Sequence, residues 1–268
     1  MPTTGDGGLP VLMYHSVSAA QDGPLRSLAV PPERLREQLA ALGDAGYALL
    51  GLTDALARVG TDPATPVVAV TFDDGYRNLL THGVDVLRDL GAGATLYMSA
   101  GHAGKPAGWM AGGDRFGPLL TWSELRDVAA AGVEIGNHSL VHHPLDVLPA
   151  PVLEREVRDS ADLLRQRTQL PVRSFAYPHG YNDARVRAAV ARHGHVTACE
   201  VGRRICRPGR DRALSMPRLQ PTPDHSGADL LRLVRTGGGR LEPALKRAAQ
   251  PGWRVVRRVG RRLGRNLT

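Results

Sequence analysis

The sequence predicts an α/β fold, a (β/α) barrel with about seven strands, on three observations. Strand-like and helix-like segments alternate along most of the chain, as in βα units wound around a mostly parallel sheet. Val67 to Phe72 runs almost without polar interruption, as a strand buried on both faces does. Unusual polar clusters follow directly on strands, at the ends where such folds gather reactive groups. The 268 residues suit this plan, since α/β barrels of about 200–250 residues fold as one domain. A composition 42% hydrophobic and 22% charged excludes disordered, collagen-like and disulfide-scaffold classes.

Leu9 to His15 reads as the first strand. Pro31-Pro32 opens a helix to Ala45, with Leu35, Leu39 and Leu42 at helical spacing and Gly46 at its end. The strand Val67–Phe72 leads into Asp73-Asp74-Gly75, then a helix from Asn78 to Leu90 and a strand from Ala94 to Met98. Gly101 to Gly117 is glycine-rich and long enough for a functional loop. Thr121 and Glu124 form a capping-box pattern that opens a helix to Ala131. Strands follow at 133–138, 172–177 and 195–201, with helices at 152–168, 183–192 and 229–234.

Three clusters carry the chemistry. In Thr71-Phe72-Asp73-Asp74-Gly75 two carboxylates stand side by side, and partial burial of both requires a cation or a shared proton. An Asp-Gly turn with a helix cap is the plainer reading. His138-Ser139-Leu140-Val141-His142-His143 sets imidazoles four residues apart, within reach of one ion if the segment turns helically, and His143 competes as the second ligand. Phe175-Ala176-Tyr177-Pro178-His179-Gly180 places a rigid turn after a strand, with backbone N–H groups suited to a developing oxyanion. Read by itself it is a Pro-Gly loop with an exposed histidine.

In this order the clusters resemble the polysaccharide deacetylase family, the group with the NodB homology domain, over roughly residues 9–235. The resemblance implies a distorted barrel with fewer than eight strands and metal-dependent hydrolysis of an N-acetyl group on a hexosamine, a linear amide. It assigns Asp74, His138 and His142 to a divalent ion, zinc first with cobalt, nickel or manganese as alternatives, and Asp73 to the general base. The backbone N–H of His179 would help hold the oxyanion. Some positions depart from the family pattern. Ala176 stands where an arginine is usual and His179 where a tyrosine is usual, so Arg173 or Arg218 must orient Asp73. The late Leu-x-x-His motif is missing; His225 has the residue type but another context, which leaves His15 and His179 to protonate the departing amine. Leu214 to Leu219 resembles the closing strand of branches without that histidine. Candidate substrate contacts are His15, Trp109, Tyr177, Pro178, Gly180 and Arg218, with Tyr14 as a further stacking aromatic and Trp122 assigned to the core.

The net charge of +8 is concentrated at one end. Lys246, Arg247, Arg254, Arg257, Arg258, Arg261, Arg262 and Arg265 lie after residue 243 without an acidic residue among them, and the remaining 26 basic residues equal the 26 acidic ones. Residues 1–243 are therefore expected to form the catalytic domain and 244–268 a basic amphipathic tail. Trp253, Val256, Val259, Leu263 and Leu267 lie near one helical face, suited to an anionic membrane surface; nucleic acid is disfavoured by the neutral body. Cys199 and Cys206 form no zinc or redox motif. The first eight residues lack the basic and apolar regions of an export signal, so the expected location is cytoplasmic, with the tail at the inner face of the plasma membrane and a lipid-linked glycan as substrate. A weakly catalytic carbohydrate-binding protein and a sugar formamide hydrolase are the alternatives.

Overall fold

A computed structural model describes residues 8–62 and 64–238. The proposed tail at 244–268, its membrane role and the first seven residues lie outside the described residues. Among the described residues no helix is long and apolar enough to cross a membrane.

Seven parallel strands form a nearly closed, barrel-shaped sheet. They are β1 (Val11–Tyr14), β3 (Val67–Phe72), β4 (Thr95–Met98), β5 (Glu134–Asn137), β6 (Ser174–Ala176), β7 (Thr197–Glu200) and β8 (Met216–Pro217), in that spatial order. A short β2 (Ala48–Leu50) pairs with the first half of β3. Leu219, just beyond β8, closes the circuit: its N–H donates to Val11 O (2.7 Å) and its carbonyl accepts from Met13 N–H (2.8 Å). The helices are α1 (Pro32–Asp44), α2 (Leu52–Thr61), α3 (Val84–Asp89), α4 (Trp122–Ala130), α5 (Ala150–Thr168), α6 (Ala184–Arg192) and α7 (Gly227–Thr236). The capping box at Thr121 forms as the sequence predicts. The helix expected from Asn78 instead starts with one π-type turn, Leu79–Gly83.

Strand alternation sorts the core into two layers. Val11, Val67, Ala69, Tyr97, Ala176, Cys199 and Met216 share one buried cluster that fills the barrel. Leu12, Val68, Val70, Leu96 and Ile135, the residues between them, pack with helical side chains such as Leu35, Leu39, Leu125 and Leu164. The first layer also takes in Leu52 and Ala55 of α2. Tyr97 carries polarity into the filling, with its hydroxyl 2.7 Å from Ser174 Oγ.

Candidate metal and catalytic site

The first functional turn leaves β3 at Asp73. Asp74 takes φ 73° and Gly75 φ 97°, left-handed values that turn the chain sharply at the sheet edge. A Cβ at position 75 would also stand 2.2 Å from Met98 Sδ and push that flexible side chain aside, but the left-handed φ is what calls for glycine. The turn sends the two carboxylates in different directions, and both are buried.

Asp73 meets Arg218 just past β8. The guanidinium forks onto the carboxylate, Nη1 to Oδ1 and Nη2 to Oδ2, each at 2.6 Å. Its Nη1 also donates to Thr71 Oγ1 (3.1 Å), and the group lies over the Tyr97 ring at 5.6 Å. Burial pushes the Asp73 carboxyl upward, but Arg218 and His138 outweigh it and hold it below its usual range.

Asp74 meets the histidines instead. Its Oδ1 lies 3.3 Å from Nε2 of both His138 and His142. Asp74, His138 and His142 offer one ligand atom each, all within 4.8 Å of one another. His138 Nδ1 donates to Ala176 O at 2.8 Å, which leaves the Nε2 lone pair available to an ion. Asp74 Oδ2 and His142 Nδ1 are buried without a hydrogen-bond partner among the described residues. Burial pushes the His142 imidazole down, whereas at His138 the charges of Asp73 and Asp74 overcome burial and raise it.

The histidine segment is not the helical turn that its spacing suggested. It is an irregular bend with left-handed φ at Ser139 (66°) and His142 (60°). Within it Ser139 Oγ accepts from His142 N–H at 3.1 Å. His143, the competing ligand in the sequence, turns away to Glu156. Glu156, which the sequence reading did not single out, takes the Leu140 and Val141 amides on Oε2, both at 3.1 Å.

The remaining candidates divide. His15, half-buried at the end of β1, lies within the fields of Asp74 and Asp73, which oppose the lowering of its pKa by burial. Trp109 stacks on His142 at 4.3 Å and 17°, and His179 meets the other ring edge-on at 4.7 Å. Four expected substrate contacts are buried and bonded within the fold. Arg218 is 0% exposed and forks onto Asp73, so it orients that carboxylate. Tyr177 is buried and donates its hydroxyl to Leu214 O. Pro178 is buried, and Gly180 donates its N–H to Tyr177 O at φ 75°, with Val201 N 2.6 Å from where a Cβ would stand; both build the turn. Arg173 is exposed. His225 turns to Thr222 ahead of α7, Tyr14 is buried and bonded to Gln38, and Trp122 lies under Arg167.

The polysaccharide deacetylase family model matches residues 60–198, half of the chain. YxkH of Bacillus subtilis, named only provisionally as a polysaccharide deacetylase, is 30% identical over 187 residues, covering 68% of this chain and 60% of its own length. Among solved structures, the Streptococcus pyogenes deacetylase PplD superposes with a TM-score of 0.73 at 24% identity, covering 85% of this chain and 98% of PplD. IcaB of Ammonifex degensii gives 0.72 at 23%, covering 87% of this chain and 98% of its own. These structures are similar in fold.

Proposed function

The chain belongs to the polysaccharide deacetylase family, and we propose that within it the protein is a metal-dependent hydrolase of the N-acetyl group on a hexosamine-containing glycan. The observation that carries the reading is the convergence of Asp74, His138 and His142 beside Asp73, a second carboxylate kept ionised. One carboxylate and two imidazoles are a donor set that fits a divalent ion, zinc first. The unpartnered Asp74 Oδ2 and the His138 tautomer set by Ala176 O agree with that fit.

When bound, such an ion polarises the amide carbonyl and lowers the pKa of water toward about 7. Asp73 is an acceptor at neutral pH and takes the proton as water attacks, while Arg218 keeps its oxygens in place. In this reading His15 and His179, at the edges of the cluster, return a proton to the departing amine. Trp109 is the aromatic that meets the sugar.

The test is acetate release from N-acetylhexosamine oligomers and lipid-linked sugars by metal-loaded protein, beside Asp73→Asn and His138→Ala. The expected result is loss of release in both variants, with metal retained in Asp73→Asn and lost in His138→Ala. Release at the wild-type rate from Asp73→Asn would overturn the base. Bound metal and sugar without release from any substrate would move the reading to a carbohydrate-binding protein, and formate release without acetate to a formamide hydrolase.

A further inference from the structure

The bend after β5 carries two adjacent histidines, and only His142 turns toward Asp74. Each backbone N–H from His138 to His142 has a named acceptor. His138 N–H donates to Met98 O (3.0 Å) and Ser139 N–H to the Asn137 side-chain oxygen (2.9 Å). Leu140 and Val141 donate to Glu156 Oε2, and His142 to Ser139 Oγ. The carbonyls of Ser139 and Leu140 accept from Ala100 N–H (3.1 Å) and Gly101 N–H (2.7 Å). Two left-handed non-glycine residues persist only where the surroundings over-determine them, and these bonds do so.

Within this set Glu156 is the one acceptor supplied by an α-helix. It projects from α5, is 4% exposed, and engages both oxygens: Oε2 with the two amides, Oε1 with His143 Nδ1 at 3.0 Å. A carboxylate is acceptor-only, so this contact places the proton on Nδ1 of His143 and draws that ring outward, where its side chain is 46% exposed. We propose that Glu156 is a positioning residue that sorts the two histidines, holding the bend so that His142 and not His143 completes the ligand set. The inference rests on the metal reading above. Without Glu156 two half-buried amides lose their acceptor, the strained φ values relax, and His143 is released to compete for the ion.

The experiment measures zinc affinity by competition with a chromophoric chelator and the absorption spectrum of the cobalt-loaded full-length chain. Glu156→Leu is expected to weaken zinc binding about 10–100-fold, the range for lost partners of metal ligands, and to alter the cobalt spectrum. Glu156→Gln keeps a carbonyl oxygen for the two amides and stays within about threefold of wild type. Adding His143→Ala to Glu156→Leu returns the spectrum toward the wild-type shape, because the competing imidazole is gone. Wild-type affinity and spectrum in Glu156→Leu would overturn the inference whatever happens to its melting temperature, and so would equal impairment of the Gln and Leu variants. Should Glu156→Leu not fold, Glu156→Asp, which withdraws the carboxylate by one methylene, carries the same expectation. Equal zinc binding by wild type and His138→Ala would remove the metal reading, and this inference with it. Dependence on His138 without dependence on Glu156 would remove this inference alone.

Discussion

Asp73 and Asp74 are consecutive, buried and of like charge, yet their partners differ in kind. Asp73 faces a guanidinium that stays charged at any ordinary pH, in a two-pronged pairing that fixes both oxygens. Asp74 faces two imidazoles, whose charge is conditional, and keeps one buried oxygen without a hydrogen bond among the described residues. One carboxylate is thus held ionised by a fixed cation, and the other stands in a set of atoms that a cation can join. Left-handed φ at Asp74 separates the two environments over a single peptide.

The largest effect should come from breaking the permanent pair. Arg218→Met leaves Asp73 as an unpaired buried charge and should cost about 3–5 kcal/mol in urea unfolding, whereas Arg218→Met with Asp73→Asn recovers most of that stability without activity. A stability loss under about 1 kcal/mol for Arg218→Met would show that water reaches Asp73.

Next in size is a pH effect on the histidine side. His195 is buried, donates from Nδ1 to Val190 O and accepts from Asn137 Nδ2, which requires the neutral ring. Burial lowers its pKa to about 4 from the ordinary 6.5. The unfolded chain therefore binds the proton first as pH falls, so the contribution is present above 6.5 and lost as pH drops toward 4. Full loss amounts to roughly 3 kcal/mol, and His195→Gln should flatten the stability-pH curve across that window.

Metal addition separates the two carboxylates by a smaller amount. Zinc at 100 times its dissociation constant should stabilise the wild type by about 2.7 kcal/mol, measured by thermal unfolding, and Asp73→Asn by a similar amount. His138→Ala should show no such gain. Smallest is Thr71→Val, which removes the hydroxyl that accepts from Arg218 and donates to Leu12 O, at about 1 kcal/mol in urea unfolding with metal affinity unchanged.

What could be read in the chain alone had short-range causes. The capping box needs only Thr121 and Glu124, three residues apart, and Val67–Phe72 declares a doubly buried strand by its own side chains. The candidate ligand set Asp74, His138 and His142 was legible in the same way, as motifs beside predicted strands. By contrast β2 has three residues, exists because Ala48–Leu50 pair with Val67–Ala69, and has no local mark, whereas α2 was overlooked although Leu52, Ala55, Leu56 and Val59 stand at helical spacing. Tyr177, Pro178 and Gly180 were read as substrate contacts because turns after strands usually face solvent, and here the turn is packed against Val201 and Leu214.

The sequence by itself determined the alternation of strands and helices, the carboxylate pair and the imidazole spacing, because hydrophobic period and residue chemistry are local properties. Tertiary structure alone decided which arginine holds Asp73, with Arg173 exposed and Arg218 brought across 145 residues by closure of the barrel. It also decided between His142 and His143, adjacent side chains that local spacing does not separate, through a carboxylate on α5 and two left-handed φ values. A buried charge takes whichever partner the fold brings to it, and in a nearly closed sheet that partner comes from the last strand to join the first.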